Sequence, residues 1–355
     1  MNTVLSFLHD NQQRLGLERY GAPARMACVV VTPRFRASSH VVFLLLPEGS
    51  SDPALVAKLP RLAGASEGVE REAANLRAVQ ASRPGGFDSI PRVVAFETYR
   101  GRQILLETAL VGQPMDRATV RRDFVGCCDA VARWLAELQQ PARDPAGADS
   151  HWFERLVERP LHHFTELFPL SADEASMLER TWELVAPLRG AKLPLVFEHS
   201  DLSAPNLMLL RHGGPGAVDW ELATPRGLPT YDLFFFLSYV AFALHTPRST
   251  AEYVSAFHAA FFGQSAWARP YVRAYAERLQ LPVQVLTPLF VLCWARYTAS
   301  LLTRLGAAGR PGESLGADTA AWLRANRYYA LWHHTLRQVS ELHWFDEPAT
   351  KTRSN

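Results

Sequence analysis

Short apolar runs separated by turn residues dominate the first part of the chain, and helical spacing dominates the last part. Val4, Leu5, Leu8 and Leu15 recur at helical intervals and predict a leading helix over 4–15. The stretch ACVVVTPRFRASSHVVFLLLP predicts two β-branched strands around a polar turn at 33–40. In DPALVAKLP, strand alternation sets Leu55, Ala57 and Leu59 on one face and Val56 and Lys58 on the other. Residues 67–80 return to the helical period, with Val69, Ala73, Leu76 and Val79 as the buried stripe and Glu72 at its inner margin. Two further strands, 91–96 and 102–106, flank a turn at 98–101. A helix over 124–138 follows, then a Pro/Ala/Asp loop at 141–150 and helices over 151–168 and 173–187. Beyond Asp232 the pattern predicts helices at 231–245, 250–262, 267–279, 282–304 and 316–342, with a Gly/Pro-rich loop at 306–316 and a polar tail at 347–355.

The stretch between these two regimes, FEHSDLSAPNLMLLRHGGPGAVDWELATPRGLPTYDLF, carries the chemistry. Apolar runs at 193–197 and 207–210 enclose His199, Asp201 and Asn206. After the turn HGGPG, the short run at 217–218 delivers Asp219, Trp220 and Glu221. Strands ending in carboxylates on either side of a tight turn bring Asp201, Asn206 and Asp219 together. The plain alternative is a polar hairpin turn with His199 as a buried hydrogen-bonding residue. The spacing His-x-Asp-x4-Asn, followed by an apolar strand and an aspartate, weighs against it, because phosphoryl-transfer enzymes need a base and metal-binding oxygens in that arrangement.

Composition narrows the class. A chain of 355 residues suggests two lobes, and 48% hydrophobic with 20% charged residues describes a soluble globular protein. The net charge of +2, with no dense Lys/Arg run, points to no nucleic-acid partner. Cys28, Cys127, Cys128 and Cys293 show no metal-ligand spacing, and a reducing cytoplasm is the expected compartment. The N-terminus lacks the basic leader and apolar core of a signal peptide. No membrane span is expected: the apolar run 233–244 is too short, and 283–302 is interrupted by Gln284, Pro288 and Arg296. Lysine is scarce. Lys58, Lys192 and Lys351 stand against thirty-four arginines, so a retained lysine is a candidate for chemistry arginine cannot replace.

On His199, Asp201, Asn206, Asp219, Trp220 and Asp232, the chain resembles the aminoglycoside phosphotransferase and choline kinase-like family of small-molecule kinases. Ser200 departs from the glycine that family usually carries. The resemblance implies an α+β, bilobal, protein-kinase-like fold. Residues 1–107 would form a nucleotide-binding lobe with a small antiparallel sheet and one main helix. Residues 108–346 would form a larger, mostly helical lobe with the catalytic loop and acceptor site, and 347–355 a flexible tail. ATP and Mg²⁺ would be the cofactors.

The same resemblance distributes roles. Asp201 would orient the acceptor hydroxyl and receive its proton, while Asn206 and Asp219 would ligate Mg²⁺. Lys58 would hold the α- and β-phosphates, aimed by Glu72, with Glu70 as the less favoured partner. The 33–40 hairpin lacks a glycine-rich fingerprint, so backbone amides or Ser38 and Ser39 would cover the phosphates. Residues 107–110 would be the hinge, whose backbone at Glu107 and Ala109 meets the base. His199 would brace the loop, Asp232 would anchor its backbone, and Glu221 is either metal-adjacent or a helix-starting or surface acid.

The activity this implies is transfer of the γ-phosphoryl group of ATP to a hydroxyl of a sugar, polyol or natural product. A protein substrate is disfavoured, because only twelve residues separate Asp219 from Asp232 and leave little room for an activation segment. Residues 240–345 carry ten arginines against five acids, which suits a polycationic aminoglycoside poorly. The aromatic residues of that region either line a polyol pocket or belong to the core. An aminoglycoside-type resistance kinase and a catalytically inactive nucleotide-binding pseudokinase are the alternatives. Retention of Lys58, Asp201, Asn206 and Asp219 argues against the pseudokinase.

Overall fold

The β-branched runs of the N-terminal part form one antiparallel sheet in a computed structural model, which describes residues 3–32, 40–62, 65–140, 150–204, 206–307 and 317–345. Its strands are β1 (Ala27–Val31), β2 (His40–Leu46), β3 (Leu55–Pro60), β4 (Val93–Tyr99) and β5 (Arg102–Thr108), in the order β1-β2-β3-β5-β4. Strand β3 is therefore central, with Lys58 opposite Val42 of β2 and Leu105 of β5. Leu55, Ala57, Ile104 and Leu106 on one face pack against Val4, Phe7 and Leu8 of helix α1 (Thr3–Asn11). Helix α2 (Glu67–Ala81) packs on β3, β4 and β5, burying the expected stripe together with Glu72 and Asn75. Ser38 and Ser39 lie outside the described residues.

The chain divides into two compact units: 1–115 with 199–225, and 116–198 with 226–355. This division does not follow the expected boundary at 107, because the catalytic-loop stretch packs with the N-terminal sheet. The reason is strand pairing between distant residues. Strand β6 (Gly112–Pro114) pairs with β7 (Leu207–Leu210), which pairs with β8 (Pro215–Ala217). The approach at Gly112 admits no side chain, since a Cβ there would lie 2.3 Å from the Leu209 carbonyl oxygen. The Met115 amide donates to the Leu207 carbonyl at 2.9 Å, and the Ala217 amide to the Ser89 carbonyl at 3.0 Å.

The second unit is helical. The 124–138 helix forms as expected, capped by Asp123, whose carboxylate accepts the Gly126 amide at 2.9 Å. Leu286–Ala307 runs through the core, with Phe290 and Trp294 fully buried and Pro288 in its first turn, where a missing N–H costs nothing. The stretch Val283–Leu305 is long and apolar enough to cross a membrane, but 83% of its most apolar window is buried inside the fold. The single helix expected over 316–342 is instead two, Ala317–Arg324 and Arg327–Arg337. Asn326 breaks it by accepting the Tyr328 amide on its side chain at 2.9 Å, an N-cap inside a helical pattern.

Candidate active site

The catalytic-loop turn is held by its own polar groups. Both donors of the Asn206 amide are used on Asp201, at 3.0 Å to its carbonyl and 3.2 Å to its carboxylate Oδ2. The Ser203 amide donates to the Asp201 carbonyl at 3.0 Å, and the Asn206 amide to the Ser203 carbonyl at 2.7 Å. The Val218 amide donates to the Asn206 carbonyl at 2.9 Å, which sets Asp219 beside this turn. His199 is fully buried, with Nε2 3.0 Å from the Val218 carbonyl and Nδ1 accepting the Asp201 amide at 3.3 Å. Those partners select the neutral Nε2–H tautomer, so His199 braces the loop and has no free nitrogen to act as a base.

Ser200 explains its own oddity. Its φ is +69°, in the left-handed region where glycine sits without strain and an L side chain costs about 1–2 kcal/mol. Ser200→Gly is expected to leave activity intact and to raise the unfolding free energy by about 1 kcal/mol, read from urea denaturation; a destabilised variant would show that the serine side chain is needed. Asp219 is also left-handed, at φ +68°.

Lys58 lies at the centre of a charged cluster within the first unit. It is only 4% exposed, and its ammonium hydrogen-bonds Glu72 Oε1, with Asp219 Oδ1 at 3.6 Å and Glu107 Oε1 at 3.7 Å. Burial alone would lower its pKa, but Glu107, Glu72 and Asp219 outweigh that and hold it well above the ordinary lysine value. Glu72, not Glu70, is the lysine's partner, and Glu72 Oε1 also accepts the Trp220 amide at 3.0 Å. One carboxylate thus ties helix α2, strand β3 and the turn carrying Asp219 together. The Trp220 ring is fully buried, 4.7 Å from the His199 ring.

Two participants, Asn75 and His40, escaped sequence reasoning, and a third, Glu107, was expected only for its backbone. Asn75, one helical turn after Glu72, donates to the carbonyls of Trp220 at 2.9 Å and Ala223 at 3.0 Å; a polar residue inside the apolar stripe was its only signal. His40, placed by the pattern at the end of a polar turn, begins β2 and is buried. Its Nδ1 lies 3.4 Å from Glu221 and its Nε2 3.9 Å from Asp219. Burial pushes this imidazole down, yet Glu221 and Asp219 outweigh burial and Lys58, leaving its pKa above the usual histidine value. Strand register puts His40 on the Lys58 face, two residues from Val42, and register is not readable from one strand alone. Glu221 sits in a turn and starts no helix.

Glu107 is the third surprise. It is still within β5, and its side chain is 2% exposed with Oε2 lacking any hydrogen-bond partner among the described residues. Burial, with Glu72 and Asp219 adding to it against Lys58, pushes its carboxyl from the ordinary 4.5 up to about 8. The folded protein therefore binds this proton more tightly than the unfolded chain does, and stability falls as pH rises through this window. Glu107→Gln is expected to flatten that slope and to be the more stable protein at pH 8; identical slopes in denaturant titrations would refute it. The hinge reading is also narrowed. The Ala109 amide already donates to the Ala54 carbonyl at 3.1 Å, so Ala109 retains only its carbonyl for a base.

In the second unit Asp232 is fully buried and accepts from Gln139 Nε2 at 2.8 Å. The same nitrogen donates to the Phe197 carbonyl at 2.9 Å, and Tyr275 Oη donates to Gln139 Oε1 at 2.5 Å. Asp232 thereby fastens, through Gln139, the backbone that leads into His199.

A lysine on the central strand of a five-stranded antiparallel sheet, paired with a glutamate of the following helix and set beside an aspartate–asparagine turn and Asp219, is the arrangement of a kinase-like phosphotransferase. Residues 32–275 match the phosphotransferase enzyme family, and the chain belongs to that family. The fold is that of a choline/ethanolamine kinase family protein from Mesorhizobium loti, with 14% identity over 88% of this chain and 92% of that one (TM-score 0.51). Choline kinase LicA from Streptococcus pneumoniae has 12% identity over 92% and 99% of the two chains (TM-score 0.53). The aminoglycoside phosphotransferase APH(4)-Ia has 11% identity over 92% and 99% (TM-score 0.51). A search of curated protein sequences finds no match.

Proposed function

We propose that this protein transfers the γ-phosphoryl group of ATP to a hydroxyl of a small molecule. The observation that carries the reading is Glu72, which binds Lys58 and the Trp220 amide with one oxygen and so places the phosphate-type lysine beside Asp219. Family membership and the hydroxyl-bearing substrates named by choline and aminoglycoside kinases of the same fold support it.

In this mechanism Lys58 meets the α- and β-phosphates, and Glu72 keeps the ammonium aimed. The acceptor hydroxyl docks on Asp201, whose position Asn206 holds. As the oxygen attacks phosphorus and the bond to the ADP oxygen breaks, the hydroxyl proton passes to the Asp201 carboxylate. The residues fit Mg²⁺. Asn206 spends both N–H groups on Asp201 and keeps Oδ1, while Asp219 Oδ1 is buried without a hydrogen-bond partner among the described residues, so two hard oxygen donors remain. When bound, that ion would offset the charge on the phosphate oxygens.

The test is mass spectrometry of a panel of hydroxyl compounds incubated with the protein, ATP and Mg²⁺. Phosphorylated product is expected from the wild type and not from Asp219→Asn. Neither product nor ATP hydrolysis by the wild type would sink the proposal.

A further inference from the structure

A buried imidazole that meets a carboxylate at each nitrogen calls for a positive charge, either a proton or a metal ion. His40 is such a group. It opens β2, is 4% exposed and shares the Lys58 face of the sheet. Its Nδ1 lies 3.4 Å from Glu221 Oε2 and its Nε2 3.9 Å from Asp219 Oδ1. The first distance lets Nδ1–H donate to Glu221. The second is too long for a hydrogen bond. It sets Nε2 opposite a carboxylate oxygen that is buried and has no hydrogen-bond partner among the described residues.

Two donors on one ion, each at about 2.1 Å, stand roughly 3.0–4.2 Å apart, from right-angle to opposite positions. The 3.9 Å between Nε2 and Oδ1 falls inside that range. A histidine that binds a metal almost always gives its other N–H to a carboxylate, and Glu221 is in that place. Asn75 fixes the Glu221 turn, because its amide binds the carbonyls of Trp220 and Ala223 on either side at 2.9 and 3.0 Å. Glu72 adds buried negative charge. His40, Glu72 and Asp219 each bring one donor atom within 4.8 Å of the other two, and Glu72 Oε2 is buried without a hydrogen-bond partner among the described residues. Lys58 answers Glu72, which leaves Asp219 and Glu221 flanking one imidazole. A dication in place of the Nε2 proton balances that pair.

We infer that His40 is a nitrogen ligand of the ion held at Asp219, and that the site prefers a first-row transition dication such as Mn²⁺ to Mg²⁺. Mg²⁺ takes oxygen donors, so an imidazole adds little to its binding, whereas first-row dications accept nitrogen from Mn²⁺ onward. Every participant lies in the first unit. The inference rests on the phosphotransferase reading for the ion's task.

Electron spin-echo spectroscopy of the full chain with Mn²⁺ alone tests it, comparing unlabelled protein with protein carrying ¹⁵N-labelled histidine. The wild type is expected to show a nitrogen modulation that changes on labelling, and to bind Mn²⁺ tenfold or more tightly than Mg²⁺ in competition. His40→Gln should lose both the modulation and the preference, with its circular dichroism unchanged. No histidine modulation in the wild type, which is the result if an imidazolium simply pairs with both carboxylates, would overturn the inference. So would modulation retained in His40→Gln, or Mg²⁺ competing on equal terms. Should His40→Gln not fold, Asp219→Asn carries the test: loss of the modulation supports a shared ion, and its survival overturns one. Phosphoryl transfer without histidine coupling would overturn this inference and leave the proposed function standing. Histidine-bound Mn²⁺ with neither transfer nor ATP hydrolysis would do the reverse.

Discussion

Asp201→Asn is expected to lower turnover by about a hundred- to ten-thousand-fold while leaving fold and nucleotide binding in place. The magnitude is that of removing a positioned proton acceptor. The selectivity follows from the geometry. The carboxylate is held from Asn206 Nδ2, and an amide oxygen at the same place accepts the same bond, while the backbone contacts of the turn involve the Asp201 carbonyl and amide and are untouched. What the amide cannot do is take the acceptor's proton. Steady-state kinetics with nucleotide affinity measured in parallel decides the matter: a variant turning over within a few-fold of the wild type would remove Asp201 from the chemistry.

Lys58→Arg is expected to lose most activity and about 1–3 kcal/mol of stability. Lys58 projects from the central strand between Val42 and Leu105, and its ammonium sits among Glu72, Glu107 and Asp219 with 4% exposure. Arginine keeps the charge, yet its larger planar group overpacks a place shaped for a compact cation. It would also move the point charge away from Glu72 and so loosen the shared hold on the Trp220 amide. Glu72→Gln keeps the shape and an acceptor for that amide, and is expected to lose less. Lys192 is exposed, so Lys192→Arg serves as the silent control. Equal rates for the arginine variants at 58 and 192 would refute the assignment of Lys58.

Much of this site was legible because its parts are local. Alternation in DPALVAKLP put Lys58 on the face opposite Leu55 and Ala57, and helical spacing turned Glu72 inward; both are short-range consequences of strand and helix periods. The helix Phe124–Leu138 and the strand Leu207–Leu210 have the expected limits, because caps and apolar runs act within a few residues. The break at Asn326 was not legible, since an asparagine serves as well on a helix surface as at a cap until packing selects one.

The sequence by itself determined the family, the pairing of Lys58 with Glu72, the Asp201–Asn206 turn, and the two regimes of sheet and helix. Tertiary structure alone decided which charges share one environment. His40 and Glu107 join Lys58 through strand register, Asn75 reaches Trp220 across 145 residues, and 199–225 packs with the first unit through β6 and β7. Periodicity is a property of neighbouring residues, whereas burial and charge pairing depend on segments far apart in the chain. The electrostatics of the cluster therefore exist only once those segments have packed.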